Sequence, residues 1–291
     1  MSNLLDTYNK ILPLLHSLES ADNYLNQIRV PKLSDKELIA LNLSAGFLGI
    51  DSENHLFQLL PSELEGRIER SVYNRRRRRL AVKIEQFRGT LSNRIIPNEQ
   101  YHIVDSMPLP ICQFSRARRS RICRQFAECA PDYGHCAAQK MTYFGYKLHA
   151  VCTVQGVFKG FDISPASTHD IHYLNDVKTQ FSQCVLIGDR GYISRQYQDD
   201  LFEDNGITLA VPKRRNQIDY APYPPVLRKA RKRIETLFSQ LCDQFLVKRN
   251  YAKSFEGLAT RVLSKLTALT LVQWINQDQG NNINNLKISI A

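Results

Sequence analysis

Three acidic residues stand where folding could bring them together for metal-dependent chemistry. Asp105 follows the apolar run YHIV, Asp189 ends the short apolar run in CVLIGDRGY, and Glu235 lies within RKRIETLFSQL. A buried strand that stops at a carboxylate offers that carboxylate at the edge of a sheet. Acids brought close together repel, so they either take up protons or bind divalent metal. Oxygen ligands select Mg²⁺ or Mn²⁺, and two such ions stabilise the attacking and leaving oxygens of phosphoryl transfer.

Two strands and a helix must position these acids. The patterns predict that each strand ends at its acid, with an antiparallel pair over 141–163 between them. If the strands of Asp105 and Asp189 are neighbours, their ends place both carboxylates within reach of one cation. Glu235 can complete the cluster because it lies off the apolar stripe of its helix, predicted over 226–245. That stripe consists of Ile234, Leu237, Phe238, Leu241 and Phe245.

Each acid also has an ordinary explanation. Asp105 would serve as a loop cap, Asp189 as a turn former, and Glu235 as the partner of Arg231 four residues earlier on the helix. The ion pair and metal binding are compatible, so the pair does not decide between them. His169, in the turn SPASTHD, stays open between a place near the site and a helix cap, and Asp170 is favoured as a cap.

The charge of the chain favours a polyanionic partner, with nucleic acid ahead of an anionic membrane surface. The formal net charge is +11, and residues 67–94 hold ten basic residues against two acidic ones, including Arg75 to Arg79. Five consecutive arginines on a helix cover all its sides, so some meet solvent or phosphate, and phosphate is favoured. The more acidic residues 1–66 read as short helices, either a helix-turn-helix or a helical cap without a groove-reading role.

The cysteines favour free thiols in a reducing, cytoplasmic setting. Seven cysteines lack paired spacing, and Cys112, Cys123, Cys129 and Cys136 with His135 lack the close pair typical of zinc sites. The first residues, MSNLLDTYNK, predict no signal peptide, and no apolar stretch is long enough to span a membrane.

Taken in order, IVDSMPL, LIGDRGY and RKRIETLFSQL resemble the three acidic motifs of DDE transposases of bacterial insertion sequences. The chain is most similar to the small insertion-sequence family nine-eight-two, over nearly its whole length, and YFGYKLHAV and SPASTHD also fit. The resemblance implies an α/β fold, namely a ribonuclease H-like mixed five-stranded sheet flanked by helices, with a helical N-terminal domain. It also implies hydrolysis at transposon ends and transfer of the 3′-hydroxyl into target DNA. A nuclease on the same fold and a non-catalytic DNA-binding derivative stay as alternatives.

The resemblance also implies residue roles. Asp105, Asp189 and Glu235 would hold two Mg²⁺ or Mn²⁺ ions, and Arg231 matches the arginine that precedes the glutamate in a related pattern. Arg228 and Cys242 stand where that pattern has tyrosine and lysine, so those two roles are not carried over. His169 and Arg190 are accessory candidates. The predicted DNA contacts are Arg75, Arg76, Arg77, Arg78, Arg79, Lys213, Arg214, Arg215, Arg228 and Arg231.

The expected domains are a helical, basic-ended DNA-binding domain over 1–94, a catalytic domain over 95–278 and a flexible tail over 279–291. The last apolar helix, about 254–277, is expected to pack on the sheet. The expected partners are double-stranded DNA, both terminal inverted repeats and target, and a second copy of the chain on that DNA. The resemblance implies a bacterial protein associated with the nucleoid.

Overall fold

The computed structural model describes residues 3–137, 139–216 and 220–286. The chain divides into two compact units, one formed by Met1–Ile95 with Gln240–Ala291 and the other by Ile96–Ser239. The first boundary lies next to the predicted one. Residues 240–278, predicted to belong with the catalytic domain, group with the N-terminal helices instead, and the second boundary falls inside a helix.

The first unit is helical. Its helices are α1 (Leu4–Leu18), α2 (Asp35–Phe47), α3 (Glu53–Gln58), α4 (Arg70–Arg79), α5 (Ala81–Ile95) and α9 (Phe255–Asp278), joined by the end of α8 (Pro225–Asp243). The Ser34 hydroxyl accepts a hydrogen bond from the Glu37 amide, and the Glu37 carboxylate accepts one from the Ser34 amide. The predicted capping box at the start of α2 is therefore confirmed. Eleven of the 13 residues of α2 are buried. The helix α2 therefore has no free face with which to read a DNA groove.

Helix α9 packs inside this helical unit. Asn42 of α2 donates to the Ser264 hydroxyl over 2.7 Å, and Gln277 donates to the Ile95 carbonyl over 3.0 Å. Gly46 of α2 lies so close to Ala268 that an added Cβ would sit 3.4 Å from it. The expected packing of this helix on the sheet stays a prediction. The apolar character of α9 comes from being enclosed by α2 and α5, which periodicity alone does not distinguish from packing on a sheet.

The start of the predicted tail is packed. Leu286 is 4% exposed, Gln240 donates to the Asn284 carbonyl over 2.9 Å, and Asn276 donates to the Asn285 carbonyl over 3.1 Å. Residues 287–291 lie outside the described part of the chain. None of the helices in the described ranges is long and apolar enough to cross a bilayer.

The second unit is built on a mixed sheet. Its strands are β1 (Tyr101–Pro110), β2 (Asp132–Cys136), β3 (Met141–Thr153), β4 (Phe158–Pro165), β5 (Val185–Ile187) and β6 (Thr208–Ala210). Strands β4, β3 and β1 are antiparallel neighbours, and β5 and β6 continue the sheet parallel to β1. The predicted mixed sheet flanked by helices is confirmed. It has six strands rather than five because β2, within the segment that joins β1 to β3, pairs with Met141–Gly145 of β3.

The two faces of the sheet are covered by different helices. On one face, Val104 and Leu186 belong to a buried cluster with residues of α6 (Leu174–Gln180) and α7 (Arg195–Asn205). On the other face, Phe158 contacts Phe238 of α8, with ring centroids 6.4 Å apart. All five residues of the predicted apolar stripe are at most 8% exposed, and four of them lie in α8, whereas Phe245 follows its end at Asp243, two residues before the predicted end of the helix.

Candidate active site

The first two acids lie at the same level on neighbouring strands. The parallel pairing of β1 with β5 ends at Ile103 and Ile187, and Asp105 and Asp189 each follow two residues later. Neighbouring strands lie about 4.8 Å apart, and residues two apart along a strand share a face. The predicted end of the first strand at Asp105 is wrong, because β1 continues to Pro110 and pairs with β3 throughout. Asp105 still reaches the edge of the parallel part of the sheet, because β5 stops short of it.

Asp189 begins a turn as well as ending a strand. Its Oδ1 accepts a 2.7 Å hydrogen bond from the Gly191 amide and caps the 3-10 helix Arg190–Tyr192. A Cβ on Gly191 would lie 2.9 Å from that oxygen, and one on Gly188 would lie 3.2–3.3 Å from Tyr192, Val104 and Val211. These glycines therefore allow close packing and a tight turn around the acid. The turn that Asp189 forms is compatible with its predicted catalytic role.

Arg231 links the first acid to the third. One nitrogen of its guanidinium lies 3.7 Å from Asp105 Oδ2, and another lies 3.1 Å from Glu235 Oε1. The helical spacing of four residues brings Arg231 and Glu235 onto one side of α8. The Glu235 side chain is 52% exposed, whereas that of Asp105 is 18% exposed. The arginine therefore neutralises part of the charge of this group of acids.

Asp105 is the most perturbed acid of the site. Burial above all, together with the negative charges of Asp189 and Asp170, raises the pKa of its carboxyl from 3.8 to about 7. The Ser106 amide and Arg231 act in the opposite direction and lower this pKa. A carboxyl of this kind carries less than a full charge near neutral pH unless a cation stabilises the ionised form.

A fourth carboxylate, that of Asp170, was not predicted as a site residue. It lies in the 3-10 helix Asp170–Tyr173, and its Oδ1 accepts a 2.9 Å bond from Lys147 Nζ. Lys147 also donates to the Thr168 carbonyl over 2.8 Å. Asp170 was expected to cap this helix, but the cap is His169. Its ring Nδ1 accepts a 3.2 Å hydrogen bond from the Ile171 amide. Nothing in the local sequence places Asp170 near Asp105, because their proximity depends on the pairing of β3 with β1 and β4.

The residues of this site fit a divalent cation in part. Asp105 and Asp189 supply hard oxygen donors, and the raised pKa of Asp105 reports a charge that a cation would stabilise. The hydroxyl of Tyr192 is buried beside the acids without a hydrogen-bond partner in the described ranges. No three acid, cysteine or histidine side chains within those ranges converge closely enough to hold a metal ion. Arg231 pairs with Oε1 of Glu235, and this ion pair is compatible with metal binding by the same carboxylate.

Most of the other predicted residues in this unit are exposed. Arg190, Arg214, Arg215, Arg228 and His169 lie at the surface, and Lys213 is half-buried. None of these residues takes part in the contacts among Arg231, Asp105 and Glu235. Their assignment to DNA binding therefore stays a prediction.

The arginine run of α4 is divided between the interior and the surface. Arg76 is bound to Asp35 Oδ1 over 2.5 Å and to the Leu33 carbonyl over 2.9 Å, and Arg77 is bound to Glu53 Oε1 over 2.8 Å. Both are under a tenth exposed, so the prediction that they contact DNA is corrected. The period of the helix places them on the inner side with Tyr73 and Leu80. Arg75, Arg78 and Arg79 are exposed and keep the predicted role.

The cysteines are free thiols, as expected from their spacing. Cys123, Cys152 and Cys184 are buried, and Cys112, Cys129, Cys136 and Cys242 are half-buried. Burial raises the pKa of the Cys123 thiol to about 11. A buried thiol with a raised pKa is poorly suited to metal binding or nucleophilic attack.

Comparison with known proteins identifies the family. A family profile described as "Transposase DDE domain" matches residues 98–271, which is more than half of the chain. A similar solved structure is the "Mos1 transposase paired-end complex with left transposon end", at 12% identity and a TM-score of 0.23, covering 94% of this chain and 87% of that one. A similarity this weak carries no weight for the site. No curated protein sequence matches the chain. The family match, which includes both strand acids and Glu235, shows that the chain belongs to the DDE transposases, enzymes that move DNA and generally use divalent metal ions.

Proposed function

We propose that the chain hydrolyses DNA at transposon ends and transfers the resulting 3′-hydroxyl into target DNA, with Asp105, Asp189 and Glu235 as the catalytic carboxylates. One observation carries this assignment. Asp105 and Asp189 each stand two residues beyond the last pair of two parallel strands, and Arg231 ties the first of them to Glu235.

The same three residues would hold two Mg²⁺ or Mn²⁺ ions. Such ions, when bound, supply a nucleophilic water near neutral pH and stabilise charge on the oxygens that attack and leave phosphorus. The oxygen donors, the raised pKa of Asp105 and the buried Tyr192 hydroxyl support this proposal.

The remaining side chains of the site manage its charge. When no other cation is near, Arg231 lowers the pKa of Asp105 and forms an ion pair with Glu235. Once those carboxylates are neutralised otherwise, its guanidinium is available to a DNA phosphate, for which its planar fork is suited. Lys147 balances Asp170 and fixes the loop that follows β4.

The DNA would follow the exposed basic residues. In the second unit these are Arg214, Arg215 and Arg228, together with the half-buried Lys213, and Arg190 and His169 are accessory residues beside the acids. In the first unit they are Arg75, Arg78 and Arg79. Phosphate contacts of this kind position DNA without reading its sequence. The partners proposed are terminal inverted repeats and target DNA, bound by two copies of the chain that hold two ends together.

An assay of cleavage and joining tests the proposal. The full chain is incubated with Mg²⁺ and a labelled duplex from the end of the element that encodes it, together with unlabelled target DNA. Joined product supports transposition. Cleavage without joining would indicate a nuclease on this fold, and binding without either would indicate a non-catalytic DNA-binding protein. Asp199→Asn, a change at a 60% exposed acid on α7, is the matched control and should behave as the unchanged chain.

A further inference from the structure

We propose that the segment 113–136, between β1 and β3, binds unpaired DNA bases beside the acidic site. This segment, called the insertion below, belongs to none of the DNA contacts described above. The inference rests on the proposed function for its place in the reaction. The evidence for base binding comes from the residues of the insertion itself.

The first observation is a set of exposed aromatic rings. Phe114 is 52% exposed, Phe126 is 60% exposed and Tyr133 is 42% exposed. The Phe114 ring meets the Tyr133 ring edge to face, with centroids 5.9 Å apart, and Tyr133 lies 5.0 Å from the buried ring of Phe144. The rings thus extend outward from the core, and large apolar surface of this kind is usually retained for a partner.

The second observation is the positive charge around the rings. Five arginines of the insertion are exposed, and none has a carboxylate within 4.0 Å among the described residues. They are Arg116, Arg118, Arg119, Arg121 and Arg124. The insertion contains only two acids, Glu128 and Asp132. The Arg124 guanidinium lies over the Phe144 ring, 5.6 Å from its centroid. A cluster of guanidinium groups without carboxylate partners favours a polyanion.

The insertion is anchored to the sheet although most of it is irregular. The Tyr146 hydroxyl of β3 donates to the Cys129 carbonyl over 2.7 Å, and the Ile111 amide donates to the Phe144 carbonyl over 3.1 Å. Two residues of the insertion itself, Ala117 and Cys123, are buried. A ligand therefore meets rings and charges that are already placed, which lowers the entropy cost of binding.

The insertion lies at the end of the sheet that carries the acids. Strand β2 pairs with Met141–Gly145 of β3, and Gly145 in turn pairs with Pro110 at the far end of β1, beyond Asp105. Gly134 of β2 approaches so near to Ala166 that an added Cβ would lie 2.8 Å from it. Ala166 begins the turn that leads to Asp170. DNA held at the acids would thus pass close to the insertion.

Aromatic rings select unpaired bases rather than duplex DNA. The faces of bases in a duplex are covered by their neighbours, whereas a single strand presents them to a flat side chain. Stacking of a base on an aromatic ring contributes about 1–3 kcal/mol and tolerates any base. Arginines alone would bind duplex and single strand alike through phosphates. The combination of rings and arginines therefore indicates DNA with bases out of the helix.

The test is a binding measurement on the full chain in EDTA, so that no cleavage occurs. One probe is a fluorescein-labelled thymidine oligonucleotide, and the other is a labelled blunt-ended duplex annealed from two complementary strands. The double variant Phe114→Ala with Phe126→Ala should lower the affinity for the single strand by roughly tenfold or more, the size expected from lost stacking. Its affinity for the duplex should change by less than about twofold. Arg118→Gln with Arg119→Gln should weaken both probes and reduce the salt slope by about 1.5.

Matched controls come from the same unit. Phe202→Ala removes a ring that is 62% exposed on α7, and Arg195→Gln removes a guanidinium on that helix, and both should leave binding unchanged. The inference is overturned if the folded double variant binds the single strand as tightly as the unchanged chain does. It is also overturned if the double variant loses as much affinity for the duplex as for the single strand, or if Phe202→Ala lowers single-strand affinity equally. Circular dichroism establishes folding. Normal cleavage with failed single-strand binding refutes only this inference, and intact binding without cleavage by the unchanged chain refutes only the proposed function.

Discussion

Replacement of Asp105 by asparagine should make the protein more stable at neutral pH in the absence of divalent metal. The pKa of this carboxyl is 3.8 unperturbed and about 7 in the folded chain. The folded state therefore binds more protons than the unfolded state between these values, and stability falls as pH rises through this window. A shift of about three pKa units corresponds to about 4 kcal/mol when it is fully developed, which is an upper limit.

The change in stability between about pH 5 and about pH 8 is smaller than that limit because this window covers only about two of the three pKa units. We expect the advantage of Asp105→Asn over the unchanged chain to grow by about 2 kcal/mol between about pH 5 and about pH 8. For a chain of this size that corresponds to a rise in melting temperature of about 4–8 °C. Thermal unfolding in EDTA, followed by circular dichroism at several pH values, measures it. Asp199→Asn is the control, since that acid is 60% exposed.

Two outcomes would refute this reasoning. One is a difference between Asp105→Asn and the unchanged chain that does not vary with pH, which would mean that Asp105 is not perturbed by burial. The other is a gain that shrinks as pH rises, since burial of a carboxylate predicts the opposite sign. Added Mg²⁺ should reduce the advantage, because it stabilises the unchanged chain through binding to the folded state.

Other residues of the site and of α4 give further predictions. Arg231→Gln should move the acidic limb of the pH–rate profile of cleavage to higher pH, because Arg231 lowers the pKa of Asp105, and Asp170→Asn should move it to lower pH. Shifts of both variants in one direction would contradict this charge assignment. Arg76→Gln should destabilise the chain by about 3–5 kcal/mol in urea unfolding, because it leaves Asp35 buried without its partner. The triple variant with Arg75→Gln, Arg78→Gln and Arg79→Gln should keep nearly the same stability, and the salt slope of its duplex binding should fall by about 3. An unchanged slope would mean that these arginines contact solvent and not DNA phosphates.

The acids proposed for the site stand out in the sequence because their signal is local. Asp189 is marked by a short apolar run and two glycines, and Glu235 by its place off the apolar stripe of a helix with 3.6-residue period. The alignment of Asp105 with Asp189 on neighbouring strands was harder to predict from the sequence. It depends on β5 being only three residues long while β1 continues for ten, which the apolar pattern does not show.

Contacts between distant parts of the chain account for what was missed. Arg76 looked like a surface residue because its partner Asp35 is 41 positions away. Lys147 and Asp170 are 23 positions apart and meet only through the turn after β4. Helix α9 is apolar on nearly all sides, and that pattern fits burial among helices as well as burial on a sheet. Length and composition do not distinguish these alternatives.

The most direct test of the central claim is the rate of end cleavage in the three single variants Asp105→Asn, Asp189→Asn and Glu235→Gln, measured with Mg²⁺ beside Asp199→Asn. The account predicts that each of the three loses at least about a thousandfold in rate, a loss of several kcal/mol, and binds end DNA within about threefold of the unchanged chain. Asp199→Asn should retain full activity. Cleavage at the unchanged rate by any one of the three variants would contradict the assignment of these residues as the catalytic carboxylates.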